Sequence, residues 1–284
     1  MDQPVGMGMA KAAGEDGVRG TLARSIRLRD VLLLSLVPAA AVAVFFLPAP
    51  VRRSLAFNYV EPTPFTAVTA TYVHLTLEHL VPNLLAYVFV VSTGYVLALL
   101  AGRRRLFGTA ALTYVLAVGP LLWALNLAVP RPAIGFGLSG LNMAFAGLLP
   151  ILLVAFARRH LSHSIEARHA PIPFFVVLTG VALLAVPLTK VTVGIAVASG
   201  VLAVVYGVSL VTALRNDPPN AGQDTGKWLE IFVVAVVLTI GYPLLGFPAE
   251  PAVGGAVINL YVHFLGYGLA FMVPYIGVEA GLFD

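Results

Sequence analysis

The sequence contains no cysteine and very little charge. Without cysteine there is no disulfide framework and no thiol chemistry. Asp, Glu, Lys and Arg make up 11% of the 284 residues, against about 25% in a soluble domain. A nucleic-acid-binding domain needs a basic patch on a folded soluble face, and a net charge of +4 on so apolar a chain supplies none. No H-E-x-x-H occurs, which excludes a metalloprotease helix of that type. No Asp stands inside any long apolar run. That excludes a pair of aspartates acting within the bilayer. It also argues against an ion-coupled transporter, which usually carries buried acids near the midplane.

What the chain does have is apolar length, with 59% hydrophobic residues. Eight runs come near the roughly 20 residues that cross a bilayer, at about 31–49, 73–101, 106–129, 138–157, 172–188, 191–214, 228–246 and 253–273. The fold class is therefore all-α and polytopic, a helical bundle whose solvent is lipid. Residues 1–30 form a polar tail, 31–277 the membrane domain and 278–284 a short C-terminal tail. The first run is too long for a signal-peptide core, so a retained helix is expected. The boundary at Lys190 is the least distinct, because one long kinked element would also fit there.

The loop charges give an orientation. With the N-terminus inside, the inner segments hold Lys11, Arg19, Arg24, Arg27, Arg29, Arg103, Arg104, Arg105, Arg158, Arg159, Arg168, Arg215 and Lys227. The outer segments hold only Arg52, Arg53, Arg131 and Lys190, which completes the 17 Lys and Arg. This asymmetry follows the positive-inside rule. It predicts a multi-pass protein of a cell membrane with both termini cytoplasmic.

Few ionisable residues lie within the runs, and such residues default to functional candidates. His74, Glu78, His79 and Asn83 cluster at the start of the second run, and His263 lies in the last. His79 and Asn83 are four apart and share a helix face. His160, His163 and His169 fall in one inner loop, where a solvated basic loop is expected rather than a metal site. Ser139 stands in "GLSG" at the start of the fourth run, flanked by Gly137 and Gly140. Taken alone it reads as a helix N-cap. Sidedness adds more: the second, fourth and eighth runs all enter from outside. On these boundaries His263 lies about ten residues in, roughly 15 Å deep, so the three polar sites share the outer half of the membrane.

Acyl transfer would use this set. Ser139 can attack a carbonyl once His263 removes its proton. Free N–H groups at the helix start favour the developing negative charge, and His79 and Asn83 can add donors. Glycine at Gly137 and Gly140 lets a substrate backbone approach closely. No acid is placed to orient His263, so a dyad is expected.

These residues resemble the rhomboid family. "HLTLEHLVPN" (residues 74–83) is similar to its H-x4-H-x3-N, "GLSG" (residues 137–140) to its G-x-S-G, and "HFLG" (residues 263–266) to its last-helix H-x-x-G. The resemblance runs from about residue 71 to 274. It implies an intramembrane serine endopeptidase with Ser139 as nucleophile and His263 as base. His79 and Asn83 would line the oxyanion hole and His74 would support it. No cofactor is implied, and the substrate would be a transmembrane segment of another protein. Residues 51–72, with Phe57, Tyr59 and Phe65, would form the membrane-associated loop after the first helix. Several positions depart from the family pattern. The Trp-Arg pair of that loop is missing, Val262 precedes the last histidine, and Met143 stands where an aromatic often stacks on the base. Pro82 precedes Asn83, and an additional pair of spans separates the serine helix from the last helix. The alternatives are a catalytically silent relative that binds membrane clients, and a transporter.

Overall fold

The computed structural model describes residues 18–129, 131–184, 187–216, 218, 225–250, 252–253 and 256–283. The tail before residue 18 with Lys11, Pro130, residues 185–186, most of the loop 217–224, Pro251, residues 254–255 and Asp284 lie outside the described residues.

A short helix α1 (Val18–Ser25) precedes α2 (Leu28–Phe45). The connection that follows holds α3 (Ala49–Ser54), β1 (Phe57–Asn58) and α4 (Pro64–Thr69). Then come α5 (Leu77–Leu100), α6 (Arg104–Ala128), β2 (Ile134–Gly135) and α7 (Ser139–His160). The chain continues through α8 (Pro171–Leu184), α9 (Lys190–Asn216) and α10 (Thr225–Leu245). A small β3–β4 pair (Ala252–Val253, Ala256–Val257) leads into α11 (Leu260–Glu279). Among the described residues, eight helices are long and apolar enough to cross a membrane: α2, α5, α6, α7, α8 with its preceding turn, α9, α10 and α11. Their outward surfaces are apolar, with Leu33, Phe89, Leu116, Leu184, Val204 and Val237 all exposed. Helices satisfy their own backbone, which is why a lipid-solvated chain adopts them.

α7 is the central element. Every residue from Gly140 to Val154 is buried, and α5, α10 and α11 pack around it. The contact with α11 is a close backbone approach. A Cβ on Gly147 would strike the Tyr267 carbonyl and lie 3.1 Å from Phe271 N, and one on Gly266 would meet the Gly140 carbonyl. α6 loosens to a π turn at Tyr114–Val118, next to Pro120, whose ring and missing N–H disturb the regular ladder. There Tyr114 Oη donates to Ala270 O at 2.7 Å, tying α6 to α11.

α8 and α9 pack on each other as a hairpin, so the kinked single element considered at Lys190 does not form. α9 is peripheral: only Ala196 and Ser199 are buried.

Two expected boundaries change. α2 begins at Leu28 and takes in Asp30, so the helices are not free of Asp. Asp30 accepts hydrogen bonds from Tyr95 Oη at 2.8 Å and from Arg104, and so clamps α2 to the far ends of α5 and α6. Asp30→Asn removes the charge from this cluster. Hydrogen bonds to charged groups are worth about 1.5–3 kcal/mol, so a fall in the thermal midpoint of the detergent-solubilised protein is expected. An unchanged midpoint would show that the clamp contributes nothing. The second change concerns the last span, which starts at Leu260 rather than 253. His263 therefore lies three residues from the helix start, about 4.5 Å, and not about 15 Å deep.

Candidate functional site

The starts of α5, α7 and α11 meet at one end of the bundle. Ser139 is the first residue of α7 and is not its cap. The N-cap is Leu138, which has no side-chain capping bond. The capping explanation for Ser139 is thereby set aside. Its hydroxyl makes no hydrogen bond among the described residues, and the side chain is half-buried. The preceding backbone is stitched to the other side of the site. Gly137 N donates to Ala70 O at 2.9 Å, and Leu138 N donates to His74 Nε2 at 3.4 Å. A backbone donor requires Nε2 to be unprotonated, so His74 is neutral and acts as a support. Arg52 holds the same stretch from behind, donating to His74 O at 2.9 Å and Leu75 O at 3.0 Å.

Gly137 has φ +115°, a conformation that L side chains rarely adopt. A Cβ there would also lie 2.8 Å from His79 Cε1. The His79 ring thus rests on the Gly137 backbone, 4.9 Å from the His74 ring and edge-on to Phe136. Asn83 is buried and donates from Nδ2 to His79 O at 2.8 Å. Asn142 Nδ2 in turn donates to Asn83 O at 2.9 Å. One amide proton of Asn83 is therefore committed to its own helix. Pro82 interrupts the ladder at this turn, but α5 continues through it.

His263 is buried, and its Nδ1 lies 2.6 Å from the Gly246 carbonyl. A carbonyl can only accept, so Nδ1 carries the proton and Nε2 is left as the basic nitrogen. The orienting group that sequence reasoning could not find among the acids is thus a backbone carbonyl just past the end of α10. The aromatic against the base is Phe247, edge-on at 5.9 Å. Met143 packs instead against Gly246 and Gly266. The turn carrying His263 lies on the serine turn: a Cβ on Gly140 would meet the Val262 side chain. No hydrogen bond joins Ser139 to His263. A niche beside the serine, lined by Thr71, Gly119, Leu122, Gly137, Gly140 and Val262, is too tight to hold a water molecule.

The other histidines disperse. His160 bonds Leu100 O at 3.0 Å and stacks on Trp228, His163 is exposed, and His169 is fully buried with Nδ1 accepting from Glu166 N. The loop is therefore partly packed rather than solvated. Among the described residues, no three His, Asp or Glu side chains gather as a metal set.

The chain matches no family model, no curated protein and no solved structure.

Proposed function

We propose that this protein is a rhomboid-like serine endopeptidase that cleaves transmembrane segments of other membrane proteins. The observation that carries the reading is the His263 tautomer. Its Nδ1–H is held by Gly246, and its basic Nε2 belongs to a helix turn packed on Gly140, next to Ser139. Nε2 takes the proton from Ser139 Oγ as the oxygen attacks the scissile carbonyl, and later gives it to the departing amine. The N–H groups of Ser139, Gly140 and Leu141 have no intrahelical partner at the start of α7, and with His79 they can receive the developing oxyanion. His74 holds the loop beneath, and water then releases the acyl group. No cofactor takes part.

In this reading α2, α5, α6, α7, α10 and α11 form a six-helix core, and the α8–α9 hairpin, of which α9 is peripheral, is the additional pair. On the same reading the serine end faces outward and both termini lie in the cytoplasm, the orientation that the loop charges favour. Lipid surrounds the bundle, and the tight niche means that elements around Ser139 must part before a substrate backbone enters. The missing Ser139–His263 hydrogen bond favours a second reading, a silent relative that binds membrane clients. Such bonds are often loose before substrate arrives.

Labelling the purified protein with a fluorophosphonate probe separates the two. Wild type should label, and Ser139→Ala and His263→Ala should not. A folded wild type that fails to label selects the silent relative. Asn83→Ala should lower turnover by about 10²-fold, the usual effect of losing one oxyanion donor. A wild-type rate would remove Asn83 from the site.

A further inference from the structure

Three buried or half-buried donors converge on one phenol above the site. Tyr59 Oη accepts from Arg131 Nη2 at 2.8 Å, Asn126 Nδ2 at 3.1 Å and Asn259 Nδ2 at 3.2 Å. Arg131 also lies over the Tyr59 ring, 4.3 Å from its centroid, and bonds Asn126 Oδ1 at 2.9 Å. Burial holds the Tyr59 phenol above its ordinary range against the opposing pull of Arg131, so the phenol stays protonated beside that cation.

The elements joined here are the two that carry the reacting groups. Phe57 and Asn58 pair with Gly135 and Ile134, and Tyr59 N donates to Ala133 O. This fixes Tyr59 to the segment that runs directly into Gly137, Leu138 and Ser139. On the other side, Asn259 is the N-cap of α11: its Oδ1 accepts from Val262 N at 3.2 Å, and its carbonyl accepts from His263 N. A single side chain therefore caps the histidine helix and reaches across to the phenol. Below this level the two helices touch through Gly140, Val262 and Gly266. That contact fixes their separation, and the Asn259–Tyr59 bond adds a hold at the very start of α11, beyond the bonds to Gly246 and Tyr114 further along.

We propose that Tyr59 is a positioning residue for the Ser139–His263 pair. Its phenol oxygen tethers the N-cap of α11 to the strand that leads into Ser139, and so sets the approach of the imidazole to the hydroxyl. The proposal rests on the protease reading. It assigns work to three residues, Tyr59, Arg131 and Asn259, that touch neither reacting atom.

Two conservative substitutions isolate the tether. Tyr59→Phe keeps the ring and removes the oxygen. Asn259→Ser keeps an N-cap oxygen and withdraws the reach to Tyr59. Fluorophosphonate labelling of the full-length protein is measured over a range of probe concentrations, alongside the thermal midpoint. The natural absence of cysteine also allows a clean spin-label pair at Ile134→Cys and Tyr261→Cys. Each single variant should lower the maximal labelling rate by about 10- to 100-fold, the scale of a misplacement of about 1 Å. The half-saturating concentration should stay within about twofold, because neither substitution changes a residue that lines the niche beside Ser139. The double variant should be no slower than the slower single one, because both remove the same bond. The distance distribution between the labels should broaden in each. A maximal rate equal to wild type in Tyr59→Phe, or additive losses in the double variant, overturns the proposal. If wild type shows no Ser139-dependent labelling while Tyr59→Phe still broadens the distribution, the protease reading falls and the tether stands. If the distribution does not broaden, the tether falls whatever the labelling.

Discussion

Ser139→Ala is expected to reduce cleavage of a transmembrane substrate to the uncatalysed background, a loss on the order of 10⁴-fold or more. His263→Ala is expected to do the same. The two losses should match because the residues act on one proton. Without Nε2 the hydroxyl is a poor nucleophile, and without Oγ the imidazole has nothing to deprotonate. Their double variant should be no slower than either alone. Neither change should disturb folding. Ser139 makes no hydrogen bond that Ala would lose. His263→Ala gives up its bond to the Gly246 carbonyl and its packing on Phe247, so its thermal midpoint is measured alongside cleavage. Cleavage of a tagged model substrate in reconstituted vesicles is the measurement. Substantial residual cleavage by either variant, with Ser139→Ala still folded, would remove the dyad and with it the protease reading.

The second large effect is expected at Gly147, on fold as well as activity. A side chain there meets the backbone of α11 at Tyr267 and Phe271, not the end of a flexible side chain. Backbone cannot rotate away, so α7 and α11 must separate. Overpacking of this kind costs about 3 kcal/mol, a large part of an ordinary stability of about 5–15 kcal/mol. Gly147→Val should lower the thermal midpoint sharply and abolish labelling of Ser139 in whatever folded protein remains, because the same helix pair carries Ser139 and His263. Gly194→Val is the control. It sits on α9 with open space around it and should leave both readouts near wild type. A Gly147→Val protein with wild-type midpoint and labelling would show that the close approach of α7 and α11 does not govern the site.

Much of the architecture can be read from the chain because lipid imposes one simple demand: about 20 apolar residues per crossing with the backbone satisfied internally. The eight long apolar helices, the start of α7 at Ser139 and the placing of the α5 and α7 starts at one end of the bundle follow from run lengths and sidedness. The start of α11 does not. The segment 252–257 is as apolar as a helix, and short apolar runs do not distinguish strand from helix. Asn259, an N-cap residue type placed before Leu260, was the available signal. Asn142 could have been noticed as an isolated amide in a wholly apolar helix, since such groups need partners. Gly246 could not. Its contribution is a carbonyl, which every residue has, and only the path of the chain past α10 brings it to His263. Tyr59 and Arg131 read as an ordinary aromatic and an ordinary loop charge. The bond from Tyr59 to Asn259 spans 200 residues, and no local pattern encodes it.

The use of a peptide carbonyl behind His263 has an electrostatic consequence. An ionised carboxylate buried in that position would be a permanent charge among apolar neighbours, which is costly unless it is paired and hydrogen-bonded. It would burden the resting protein in every state, including during insertion into the bilayer. The Gly246 carbonyl orients the same ring as a neutral dipole. At rest, hydroxyl, imidazole and amide all carry zero formal charge. Under the proposed mechanism, imidazolium and oxyanion would arise together, and only while a bond is being broken. The protein would then carry a transient dipole there instead of a standing ion.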